Sequence, residues 1–178
     1  MTDGQARIGL GAADSQNYYA PRPVRVMTDS LRLTMDALDE PCMIDLRTRE
    51  APDTCEAILD ALPIEGSLVH AIYSGQEAFA PLSADLQGLD PENWEYDVAA
   101  GDVGYWDSGW GDGLHGRSAE PLAELVLIYG RRAKVRRGPD QHTPINLIGE
   151  VSKNLADLAE VCGRLPREGE KAYRLERA

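Results

Sequence analysis

The strongest constraint in this chain is a set of short runs in which apolar side chains recur at every second residue. Such a run can hide its apolar side only as a strand lying on a core. Leu31, Leu33 and Met35 form one run, and Cys42, Ile44 and Leu46 form another. The polar stretch Asp36-Ala-Leu-Asp-Glu-Pro41 between them reads as a turn, which makes the two an antiparallel pair. Ser67-Leu-Val-His-Ala-Ile-Tyr73 sets Leu68, His70 and Ile72 on one face against Val69, Ala71 and Tyr73 on the other. Gly101-Asp-Val-Gly-Tyr-Trp106 and Ile145 to Val151 are further strands. Glu124-Leu-Val-Leu-Ile-Tyr129, apolar through its middle, reads as a strand covered on both faces. Residues 74 to 95 read as a loop, and Lys171 to Leu175 as a returning edge strand.

Twice the period changes. Cys55, Ile58, Leu59 and Leu62 are spaced for one face of a helix that begins at Pro52, where proline suits the first turn, and that Pro63 stops. Leu155, Leu158, Ala159 and Cys162 form a second stripe, with Ser152 as its N-cap and Gly163 as its stop. Many short strands with two helices, in place of a strand–helix alternation, predict a mainly β fold, a closed barrel capped by about two helices. A length of 178 residues fits one such domain over residues 24–178. Residues 1–23 show neither period and read as an N-terminal arm, which Tyr18 and Tyr19 would pack on the barrel or on a partner subunit.

Several short motifs carry a resemblance by their joint order. Arg49-Glu-Ala-Pro-Asp-Thr-Cys-Glu-Ala-Ile58, then Glu65-Gly-Ser-Leu-Val-His70, Gly75-Gln76 and Phe79 resemble the helix and following strand of cyclophilins. Leu62-Pro63, His70-Ala-Ile-Tyr-Ser-Gly75 and Ala100-Gly-Asp-Val-Gly-Tyr-Trp106 bring the chain closer to a bacterial cyclophilin-like family of unknown function, over roughly residues 30–165. The resemblance implies a cyclophilin-type barrel with no established activity. It does not extend to the prolyl isomerase chemistry of cyclophilins, which rests on an arginine beside the histidine-bearing strand. Ala71 follows His70 here, and Phe79 is the sole phenylalanine available to grip a proline ring. Loss of that charge-assisted hydrogen bond costs about 2 to 4 kcal/mol of barrier, so little or no isomerase activity is expected.

Charge and cysteine usage narrow the partners. A formal net charge of −12 repels phosphate backbones and anionic lipid headgroups, which argues against nucleic acid and membrane partners. No apolar run has the length of a signal-peptide core or a bilayer span, so a cytoplasmic protein is expected. Cys42, Cys55 and Cys162, an odd number within apolar patterns, read as buried free thiols. The histidines are His70, His115 and His142, without the spacing of a zinc or calcium motif, and Gly101 to Gly104 lacks the third glycine of a dinucleotide fingerprint. No metal and no cofactor are expected.

Candidate site residues fall in two places. His70, Tyr73, Ser74, Gln76 and Phe79 lie where the resemblance puts the substrate groove of cyclophilins. There His70 would bond a ligand or move a proton, Tyr73 and Phe79 would be walls, and Gln76 an amide clamp. The alternative is a core histidine satisfied by a partner. Asp102 to Pro121 gathers Trp106, Asp107, Trp110, Asp112, His115 and Arg117 among glycines, as a lid or binding loop does, or as aromatic closure of the barrel end or of a subunit contact. Arg131, Arg132, Lys134, Arg136 and Arg137 read as a solvated hairpin, with an anion-binding or oligomer-pairing patch as the alternative. The leading expectation is a non-isomerase module that binds a small polar metabolite or a short peptide in a groove, as a homo-oligomer. An enzyme acting on a small amide or carboxylate through His70 or His115, a residual prolyl isomerase, and a structural oligomer subunit stand as alternatives.

Overall fold

The computed structural model describes residues 29–110 and 122–178. The first alternating runs form β1 (Ser30–Thr34) and β2 (Cys42–Leu46), antiparallel with Leu31 opposite Ile44. Helix α1 (Pro52–Asp60) follows and buries Thr54, Cys55 and Ile58. Next come β3 (Ile64–His70), β4 (Glu77–Pro81), the short β5 (Trp94–Glu95), β6 (Asp102–Asp107) and β7 (Ala123–Ile128). A small separate hairpin joins β8 (Arg136–Gly138) to β9 (Gln141–His142), and β10 (Ile145–Lys153), α2 (Leu155–Glu168) and β11 (Lys171–Arg177) complete the chain.

Eight strands close on themselves in the order β2-β1-β11-β3-β4-β7-β6-β10, with β10 returning to β2, and β5 hangs outside on β10. The barrel is mainly β with two helices, as the alternation predicts. Each inward position follows the period of two. Leu31 and Leu33 of β1, Ile44 of β2, Leu68 of β3, Ala78 and Ala80 of β4, Val103 and Tyr105 of β6, and Leu125 and Leu127 of β7 share one core, which Leu158, Val161, Cys162 and Leu165 of α2 extend. The three cysteines are buried free thiols. Burial pushes Cys42 up to about 11 and Cys55 and Cys162 up to about 12, which holds them protonated. Among the described residues, no helix is long and apolar enough to cross a membrane.

Several boundaries differ from the sequence expectation, each for a tertiary reason. The strand expected over 67–73 is Ile64–His70, because Gly75 turns the chain at φ +81° and the Ala71 N–H donates to the Glu77 carbonyl. The expected loop to residue 95 contains β4, which pairs with both β3 and β7. Ser152 is still strand, since β10 continues along β2 until Lys153 faces Met43, and Asn154 precedes α2. Gly163 does not stop α2. Burial of Leu165 outweighs the ~1 kcal/mol helix penalty of glycine, and the helix runs on to Gly169, at φ +83°. Residues 171–177 are no edge, for β11 is flanked by β1 and β3. The expected arm over 1–23 lies outside the described residues.

Candidate functional site

The barrel wall formed by β3, β4, β7 and β6 has a second covered side. With Ala78, Ala80, Leu125 and Leu127 turned inward, the alternation sends Glu77 and Phe79 of β4, Glu124, Val126 and Ile128 of β7, and Trp106 of β6 to the outside. Residues after β7 fold back over this wall, and Ala133, Val135 and Ile145 pack against Trp106, Val126 and Ile128. A cavity of about 320 Å³ opens beside this cover. Val69, Phe79, Trp106 and Leu122 supply its apolar surface, His70, Glu77, Glu124, Arg136 and Arg137 its charged and polar groups, and Ile72 and Tyr73 its rim. Both rim side chains face solvent, at 86% and 50% exposure.

The turn between β3 and β4 holds the cover in place. The Ser74 hydroxyl accepts the Arg136 N–H at 2.9 Å and donates to the Arg136 carbonyl at 3.3 Å, so one buried side chain grips both backbone groups of a cavity residue. The Lys134 N–H donates to the Ser74 carbonyl, and Gln76 Oε1 accepts the Arg132 N–H at 3.1 Å. Trp106 is fixed through its indole N–H, which donates to Thr143 Oγ1 at 2.9 Å, and the Arg137 guanidinium sits 5.5 Å from its ring centroid. The Leu122 N–H donates to Ser108 Oγ and the Ser108 N–H to the Leu122 carbonyl, tying residues 108 and 122 together beside the cavity.

The cavity brings two glutamates and two arginines together without pairing Glu77 to either arginine. Glu77 is 4% exposed and its Oε2 has no hydrogen-bond partner among the described residues. Burial pushes its carboxyl up to about 8, against the opposing Ser74 hydrogen bond, and the Glu124 charge adds to the rise. Burial also raises Glu124 to about 7, with Arg137 acting the other way. Arg136 donates from Nη1 to the Pro139 carbonyl at 2.8 Å, while its Nε is buried without a partner among the described residues. His70 and Tyr129 are joined by a hydrogen bond of 2.7 Å between Nε2 and the phenol oxygen, with the rings edge to face at 5.9 Å. Two carboxyls held near neutrality beside aromatic walls suit ligand recognition or proton transfer.

The residues singled out from sequence are thus divided. His70, Tyr73, Phe79 and Trp106 line the cavity. Ser74 and Gln76 stand behind it and position the cover. Asp107 is buried in a structural role, accepting from the Gly88 and Gly109 N–H groups and from the Tyr105 hydroxyl. Trp110 is not among the lining residues and packs on Tyr105 and Trp94 at 5.4 and 5.8 Å, with its indole N–H on the Leu89 carbonyl. Asp112, His115 and Arg117 lie outside the described residues. Among those described, no three His, Cys, Asp or Glu side chains group to hold a metal ion. Sequence reasoning missed Glu77, Glu124 and Ser108 and read Arg136 and Arg137 as solvated. The available signal was the doubly apolar β7: something must cover Val126 and Ile128, and the charged stretch that follows carries Ala133 and Val135.

Comparison with known proteins agrees with the fold and stops short of an activity. The family described as protein of unknown function (DUF3830) matches residues 19–177. The solution structure of the hypothetical protein AF2241 from Archaeoglobus fulgidus is similar at a TM-score of 0.54 and 22% identity, over 88% of this chain and 100% of that one. The structure of McbB in complex with tryptophan is similar at a TM-score of 0.59 and 16% identity, over 82% of this chain and 44% of that one. No curated protein matches the chain.

Proposed function

Since the chain belongs to the DUF3830 family, whose function is unknown, we propose from the site itself that this protein is a cyclophilin-like binding module. It holds a small molecule, or one side chain of a short peptide, in the outer-wall cavity and is not an active prolyl isomerase. The observation that carries the reading is the cavity of about 320 Å³ with apolar walls and a buried carboxyl whose Oε2 has no partner among the described residues. Burying a polar group without a partner costs free energy, and a cavity beside it is where a ligand would recover that loss. The exposed Ile72 and Tyr73 at the rim suit a ligand that projects outward, as a peptide does. A similar fold solved with tryptophan, an aromatic small molecule, is in keeping with this reading.

The test is a two-dimensional amide NMR titration with tryptophan, phenethyl alcohol and a prolyl tetrapeptide. The expected result is a cluster of shifted amides at Ala71, Phe79, Trp106, Ser108 and Leu122 for at least one probe, abolished in Phe79→Ala. Shifts scattered over the barrel, or none, would remove the reading. In a prolyl-peptide isomerisation assay the protein should not accelerate the reaction.

A second reading, turnover of a small amide or carboxylate, gains support from the paired carboxyls, Glu77 raised to about 8 and Glu124 to about 7. Groups poised there serve as general acid and base near neutral pH. In that case Glu77→Gln abolishes turnover while ligand affinity persists, and His70→Ala, which removes the Tyr129 hydrogen bond and part of the cavity wall, has the smaller effect on turnover.

A further inference from the structure

Glu77 says something about the ligand as well as the site. Its carboxyl borders the cavity, is 4% exposed, and leaves Oε2 without a hydrogen bond among the described residues. The charged and titratable groups of the surrounding elements do not supply a partner. Glu124, from β7, is a like charge. Arg137, from β8, lies over the Trp106 face and acts on Glu124. Arg136 engages the Pro139 carbonyl and lies 3.5 Å from His142. His70, at the end of β3, is joined to Tyr129. Among the described residues no cation is therefore paired with Glu77, while a second carboxyl lies on the same wall and Phe79 and Trp106 offer an apolar floor.

Resting on the reading that this cavity holds a small molecule, we infer that its ligand carries a protonated primary amine on an apolar or aromatic body, with the ammonium on the Glu77 carboxyl and the body against Phe79 and Trp106. A single ammonium satisfies the unpartnered carboxyl oxygen and offsets the Glu77–Glu124 repulsion, whereas a neutral donor satisfies only the first. An anionic ligand would suit Arg136 and Arg137 at the same cavity and leave the Glu77 oxygen unanswered. Binding also draws the proton from Glu77, which burial keeps on the free carboxyl up to about pH 8. Amine affinity rises with pH toward 8 and falls again where the amine itself loses its proton, near the ~10 of an alkylamine.

The experiment is isothermal titration of the full chain with phenethylamine, phenethyl alcohol and 3-phenylpropionate, in buffers of different ionisation enthalpy. The expected order places phenethylamine at least about tenfold tighter than the alcohol, with 3-phenylpropionate weakest and with proton release on amine binding at pH 7. Glu77→Gln should bring phenethylamine down to about the affinity of the alcohol, and an alcohol that still shifts the Phe79 and Trp106 amides shows that the variant cavity is intact. Glu124→Gln should weaken the amine by a smaller factor. Equal affinity for amine and alcohol, or an amine affinity that survives Glu77→Gln, overturns the amine assignment and leaves the cavity reading standing. Silence from all three probes, together with no amide shift at Phe79 or Trp106, overturns both.

Discussion

Glu77 concentrates the stability consequences of the site in one side chain. A carboxyl whose folded pKa is raised holds its proton more tightly in the native state than in the unfolded one. Its contribution is therefore fully present below about 4.5 and is lost as pH rises to about 8. Across that window the protein should lose stability by up to about 1.4 kcal/mol per pH unit from this group. Glu77→Gln replaces the carboxyl with an amide of the same shape that does not ionise. Urea unfolding from pH 5 to 8.5 should show the wild type weakening with pH while the variant stays flatter and is the more stable at pH 8.5. Parallel curves would mean that Glu77 ionises freely in the native state. None of this was legible from residue 77 alone, because a glutamate next to a glycine-bearing turn reads as solvated. Its burial depends on the cover that Ser74 and Gln76 anchor from residues 132–136. His70 and Trp106 were legible from their own strands, and Phe79, on a strand read as loop, only through the resemblance to cyclophilins.

At the scale of the element, helix α1 shows where local sequence suffices and where it fails. Pro52 marks its start and Pro63 follows its end, but Ala51 at the N-cap offers no side-chain acceptor. The acceptor comes from a distant loop. Glu92 Oε1 takes the Asp53 N–H at 2.9 Å, and Oε2 takes the Thr54 N–H at 2.8 Å and the Thr54 hydroxyl at 2.5 Å. Asn146 of β10 ties the two, donating to Thr54 Oγ1 and accepting the Glu92 N–H. A carboxylate at this terminus also meets the positive end of the helix dipole. Glu92→Ala should therefore behave as the loss of a cap, destabilising by about 1 to 2 kcal/mol and lowering the melting midpoint by roughly 2 to 8 °C. A melt within a degree of wild type would show that water replaces Glu92 without penalty. No window of sequence around α1 contains this contact. The C-terminus of α2 was misread for the same reason: Gly163 is a plausible stop until Leu165 has a core to enter.

For the whole molecule, alternation predicts strands that must share an interior, yet it does not say which strand meets which. Closure depends on β10, which pairs with β6 on one side and with β2 on the other. Gly149 sits at that seam, opposite both Leu46 and Val103. A Cβ there would lie 2.8 Å from the Asp45 carbonyl oxygen and 3.1 Å from Ile44 Cγ2. Backbone atoms cannot yield as a flexible side chain does, so β2 and β10 must part locally to admit it. Gly149→Ala should then destabilise by about 1 to 3 kcal/mol. Hydrogen exchange should locate the damage at the seam, above all at the Arg47 amide, whose N–H donates to the Ile148 carbonyl at 2.7 Å. The β4–β7 pairing that carries Glu77, Phe79 and Glu124 belongs to another part of the wall, so its amides should keep their protection and the cavity its probe affinity. Unchanged stability would mean that the seam is loose enough to take a methyl group. Protection lost uniformly around the barrel would mean that the cavity wall stands only while the ring is closed.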